Sequence, residues 1–229
     1  GDAGLKVPAL KHSRDEIAAW VPRDGDAILT KEGFVFYTFG YLHPPDRVVS
    51  YLKYIPERLA KEFNLELLPY VWRLGDVTLV RPVKLYSPAN YQQIVQVLMI
   101  SHPEYVVNDP GLNKKILVVP KASIKTLFEP SSSLIKLLEK EKKTGLDQLE
   151  SAAVELIRSL SKQTRVPLRS FGIHGSISLG MHNPQSDIDI SIYGAKNFTT
   201  IISHLSALSQ RGDKFRVLEE SLFDTIRRN

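Results

Sequence analysis

"HGSISLGMHNPQSDIDISIYG", residues 174–194, joins a Gly-Ser turn to an apolar segment that carries two acids. Side chains alternate faces along a strand, so Asp187 and Asp189 stand on one side and Ile188, Ile190 and Ile192 on the other. Like charges side by side on one face repel. A strand built this way calls for positive charge beside the acids. Upstream, Gly175 lets an anion approach the backbone closely. The amides that follow point out of a helix N-terminus, and Ser176 adds a hydroxyl donor. Two carboxylates on one face suit Mg²⁺ or Mn²⁺, hard cations that take oxygen ligands and keep phosphates in their shell.

Ten residues, 177–186, separate Ser176 from Asp187. Gly-Ser, a gap of about ten and Asp-x-Asp inside an apolar strand resemble the nucleotidyltransferase superfamily of DNA polymerase β-like proteins, over roughly residues 168–220. "GYLHPPDRVVSYLKYIP" (40–56) and "SDIDISIYG" (186–194) further resemble archaeal predicted nucleotidyltransferases. The resemblance implies a nucleoside triphosphate bound at Gly175, Ser176 and Ser186, with Mg²⁺ or Mn²⁺ held by Asp187 and Asp189. It also implies transfer of a nucleoside monophosphate to an acceptor hydroxyl, with release of pyrophosphate. The acceptor, a nucleic acid or a protein, is left open.

Such enzymes carry a third carboxylate on a following strand. Here that strand is "KFRVLEES" (214–221), and the simplest alignment places Arg216 at the acid's position. Alternation favours Glu219, beside Phe215 and Val217. Glu220, Asp213 or a residue outside this sequence stay open. A nucleotide-sensing or antitoxin-like interaction module that keeps the pocket without turnover is the alternative function. Structural roles compete at several positions: Ser176 as a helix cap, Ser186 as a turn residue, and His174 and His182 as half-buried histidines.

Working outward, residues 165–229 alternate strand and helix and are expected to form a minimal nucleotidyltransferase fold, a mixed sheet with flanking helices. Residues 131–164 read as two connecting helices broken at Thr144-Gly145, and 1–130 as an accessory α+β domain with an antiparallel sheet. Within the latter, "DAILT", "FVFYTFGYL" and "RVVSYLKYI" read as successive strands. "DVTLVRPVKLY" (76–86) reads as an edge strand because of Pro82. Ser87-Pro88 starts a helix whose Ile94, Val95, Leu98 and Met99 face a core. Asn197 is expected to cap the helix after the acid-bearing strand.

The 229 residues are 43% apolar, enough for a sizeable core. There is no cysteine, which excludes disulfides and thiolate metal sites, and no histidine pair has zinc spacing. With no membrane-length apolar run and no cationic-then-apolar leader, a cytoplasmic protein is expected. Thirty Lys and Arg face twenty-five Asp and Glu. The excess is spread along the chain, so it permits anionic partners without marking a groove. The tyrosines with Arg47 and Lys53 in 40–56 could stack on and neutralise a nucleic-acid strand, against the ordinary reading of a half-buried sheet with tyrosines at its rim.

Overall fold

The computed structural model describes residues 12–210. In chain order the elements are α1 (Arg14–Ala19), β1 (Ala27–Thr30), β2 (Val35–Thr38), β3 (Arg47–Pro56), α2 (Ala60–Phe63), β4 (Trp72–Leu74) and β5 (Val77–Val80). Next come α3 (Pro88–Ser101), β6 (Val106–Asp109), β7 (Lys114–Pro120), β8 (Ile124–Phe128), α4 (Pro130–Lys143) and α5 (Gln148–Thr164). The last are β9 (Phe171–Ile173), α6 (Gly175–Ser178), β10 (Ile190–Ile192) and α7 (Ala195–Gln210). The protein is α+β and divides into two compact units. One holds the described chain through Pro130 together with His174–Asp187, and the other holds Ser131–Ile173 and the described chain from Ile188 onward. The expected strand at 214–221, with Arg216, Glu219 and Glu220, and Asp213 before it, lie outside the described residues.

Eight antiparallel strands make the first unit's sheet. Its central strand, β3, pairs with β2 along one edge and divides the other between β7 (Arg47↔Pro120) and β5 (Ile55↔Val80). β1 lies between β2 and β8. β1 and β2 are buried at every position. Alternation therefore feeds two cores. Ile28, Phe34, Phe36, Val48, Leu52 and Ile55 join Ile94 and Leu98 of α3 in one. Ala27, Leu29, Val35 and Tyr37 join Leu79, Leu179 and Met181 in the other. Leu179 and Met181 thus tie the segment after Gly175-Ser176 to this sheet.

Three expectations change here. The edge strand is β4, with β5 inside it; Gly75 (φ +61°) and Asp76 turn the chain between Leu74 and Val77. Gly-Asp between two short strands is a hairpin signal. Pro82 falls past β5, bridged singly to Leu67. Met99 is 38% exposed, because it sits at the margin of the α3 stripe centred on Ile94 and Leu98. Asn197 does not cap α7, which starts two residues earlier. Its Nδ2 donates instead to the Tyr193 carbonyl (2.9 Å) and Ser170 Oγ (3.1 Å).

In the second unit α4 and α5 are broken where expected, at Thr144 and Gly145 (φ +82°), whose amides both donate to the Lys140 carbonyl. Asp147 caps α5 in a reciprocal box with Glu150. The Glu150 carboxylate, almost fully buried, also takes both bonds of Lys140 Nζ at 2.6 and 2.7 Å. Ala153, Val154, Ile157 and Leu160 form the buried stripe of α5. β9 and β10 pair antiparallel, Ile190 opposite Ile173 and Ile192 opposite Phe171.

Candidate functional site

The Gly-Ser turn is built as its residues dictate. His174 is extended, and its Nε2 lies 2.8 Å from the Gly25 carbonyl oxygen. Its ring tilts against Tyr37 with centroids 5.0 Å apart. His174 is therefore half-buried and structural. Gly25 has φ +87°, a conformation that L side chains rarely adopt, so glycine is favoured there; an added Cβ would meet His174 Nε2 at 3.4 Å. Gly175 turns the chain with φ +64°, a conformation costly for any residue with a Cβ. The single turn of α6 follows, closed by Leu179 N donating to the Gly175 carbonyl (3.3 Å) and Met181 N to the Ser176 carbonyl (2.8 Å). Among the described residues no side chain caps the start of α6. Its first amides lack intrahelical partners, as the first amides of any helix do. Ser176 is half-buried beside them.

Ser186 closes a turn: its Oγ accepts from Asn183 N (3.0 Å) and its amide donates to the Asn183 carbonyl (3.0 Å). Past it, Asp187 and Asp189 are exposed while Ser186, Ile188 and Ile190 are half-buried. The expected alternation is present, but the strand is shorter than expected. It begins at Ile190, and neither acid lies in a ladder. Ile190 pairs with Ile173, the last residue of β9, and beyond it the backbone has turned away through Gly175. Among the described residues, the chain at 186–189 has no strand to pair with. Neither Asp187 nor Asp189 has an ion-pair or hydrogen-bond partner among the described residues. Glu219 lies outside the described residues.

In the 40–56 stretch the cations expected to meet nucleic acid have partners within the chain. Arg47 pairs with Asp46 at 2.7 Å, and Lys53 Nζ sits 4.5 Å from the centre of the Tyr37 ring. His43 braces the loop between the Gly40 carbonyl (3.1 Å) and Val49 N (3.2 Å). Sequence reading passed over a second set of rings and cations, Tyr70, Trp72, Arg81 and Tyr86, because it is scattered over 70–86 and converges only when β4 folds onto β5.

No protein-family profile matches the chain, and no solved structure does. It is similar to an uncharacterized protein of the archaeon Methanocaldococcus jannaschii, 27% identical over 169 residues. That match takes in 74% of this chain and 46% of the relative, so the chain spans about half the length of the curated relative it matches. No described helix is long and apolar enough to cross a membrane.

Proposed function

We propose that the protein is a cytoplasmic nucleotidyltransferase that moves a nucleoside monophosphate from a triphosphate to an acceptor hydroxyl, with pyrophosphate released. One observation carries this reading: Asp187 and Asp189 are both exposed, both unpaired among the described residues, and alternate with half-buried isoleucines. Two such carboxylates repel unless a cation joins them. Their oxygens are the donor set that Mg²⁺ or Mn²⁺ takes, so the residues fit the ion. Bound there, the ion would supply charge stabilisation for a phosphoryl group under attack.

The rest falls to the chain itself. The uncapped amides after Gly175 and the Ser176 hydroxyl are donors suited to the triphosphate's terminal oxygens. Gly175, at φ +64°, supplies the left-handed turn that leads into those donors. Ser186 fixes the turn that delivers Asp187, so its part is positioning. Glu219 is kept as the proposed third acid, on the resemblance in sequence alone. The fold proposed for the C-terminal part is the minimal nucleotidyltransferase sheet, to which β9 and β10 would contribute an antiparallel pair.

The test is pyrophosphate release from each of the four ribonucleoside triphosphates with Mg²⁺ or Mn²⁺, with single-stranded RNA and protein as acceptors. Release that disappears in Asp187→Asn and Asp189→Asn supports the reading. A melting temperature raised by nucleotide without any release would make the protein a nucleotide-sensing module instead. Neither shift nor release would overturn both.

A further inference from the structure

Along residues 70–86 the first unit gathers rings and two cations, Arg81 and Lys84, that pair with no acid among the described residues. Tyr70 and Trp72 meet edge to face with centroids 6.3 Å apart. The Arg81 guanidinium carbon lies 5.7 Å from the centre of the Trp72 ring. Arg81, Lys84 and Tyr86 line an open hollow of about 400 Å³. No Asp or Glu is among the residues lining it. Arg81 Nε is shielded from solvent and has no hydrogen-bond partner among the described residues. Among the described residues neither Arg81 nor Lys84 pairs with a carboxylate. Tyr70 and Tyr86 keep 62% and 46% of their surface in solvent.

Each candidate partner must satisfy both features. An acidic peptide would answer the cations and leave the rings uncovered. An apolar protein surface would cover the rings and bury a guanidinium and an ammonium without counter-charge, at a cost of several kcal/mol per ion. A chain that alternates flat bases with phosphates meets both requirements. Bases in a duplex are already stacked on one another, so the exposed rings favour single strands.

We propose that the face formed by Tyr70, Trp72, Arg81, Lys84 and Tyr86 binds single-stranded nucleic acid, the rings stacking on bases and the cations meeting phosphates. This does not depend on the nucleotidyltransferase reading, and it is tested with chelator present and no nucleotide.

The probes are fluorescein-labelled RNA and DNA single strands of about 15 nucleotides, within the usual footprint of such sites. They are titrated in low salt, with anisotropy and tryptophan emission followed together. Trp20 is buried, so quenching reports Trp72. Tyr70→Ala with Tyr86→Ala should weaken binding roughly tenfold or more. Tyr70→Phe with Tyr86→Phe keeps the rings and should keep the affinity. Arg81→Ala and Lys84→Ala should each flatten the dependence of log affinity on log salt by about 0.7. Any of four results would overturn the proposal: no binding in low salt, a duplex that binds as well as the single strand, polyglutamate that competes as well as the oligonucleotide, or alanine variants that bind like the parent while melting normally.

Discussion

Asp26 and Asp189 occupy matching places, each the last residue before a strand, β1 in one unit and β10 in the other. Their surroundings are opposite. Asp26 is 1% exposed and covered by the α1 end of the chain: its Oδ2 accepts from Trp20 Nε1 at 3.1 Å and from Arg23 N at 3.0 Å. Burial pushes its carboxyl up to about 7, against the pull of those two donors. Asp189, with Asp187 two residues before it, stands in solvent with no partner among the described residues. An acid at the mouth of a strand thus says little by itself. What covers it decides whether it braces the fold or is left available to a ligand.

The comparison breaks most visibly if the exposed acids are idle. Asp187→Asn or Asp189→Asn should lower pyrophosphate release by at least about a hundredfold, since even outer partners of a metal site cost tenfold to a hundredfold when lost. Initial rates with radiolabelled triphosphate would show it, and a variant with parental rates would remove Asp187 or Asp189 from the mechanism.

Asp26 should announce itself in the pH dependence of stability. Its folded carboxyl holds a proton up to about pH 7, whereas the unfolded one releases it near the ordinary aspartate value of 3.8. Between those values the folded state binds more protons, so stability falls as pH rises from about 4 to about 7 and then levels. The total is at most roughly 4 kcal/mol. Urea melts across that range should show the fall in the parent and a flatter profile in Asp26→Asn. An equal slope in the two would place the titration elsewhere.

Metal should reverse an order of stability. With chelator, Asp187→Asn should be as stable as the parent or slightly more so, because a repulsion is relieved. With Mg²⁺ at about 100 times its dissociation constant only the parent gains the full binding term, about 2.7 kcal/mol. Melting curves in the two buffers decide this, and an unchanged ranking would rule out a metal at these acids.

The smallest effect belongs to a third acid. Glu150 is buried like Asp26 but ion-paired, its carboxylate held by Lys140, which is itself 43% exposed. Glu150→Gln keeps the capping acceptor and loses the charge, so about 1 kcal/mol should be lost. Thermal melting at low and high salt would measure it, and the difference from the parent should shrink in high salt.

Much of this was legible because it rests on local chemistry. Ser87-Pro88 starts α3 and Gly145 ends a helix wherever they occur, since caps and positive φ depend on a few neighbouring residues. Alternation at 186–190 was legible for the same reason. The length of the acid-bearing strand was not. Among the described residues it depends on where β9 stops, and β9 stops because Gly175 redirects the chain. The burial of Asp26 was equally hidden, because the cover comes from Trp20, whose indole gives no sign in sequence of where it folds back. The box at Asp147 and Glu150 and the Gly75-Asp76 hairpin were written in the sequence as known signals and went unread. Leu179 and Met181 show a different limit: apolar residues in a loop declare that they will be buried, not which sheet will bury them.

The pairing of β1 with β8 sets a timetable for synthesis. Leu29 stands opposite Thr126. β1 and β2 can form their hairpin as soon as both have left the ribosome, but the outer edge of β1 must wait for nearly a hundred further residues. At about 5–20 residues per second that is on the order of 5–20 seconds. Throughout that interval an apolar strand offers unpaired amides and carbonyls to any neighbouring chain. A nascent chain that stalls between β2 and β8 would therefore be the most aggregation-prone form of this protein, and slowed translation over residues 40–120 should lower the yield of folded product.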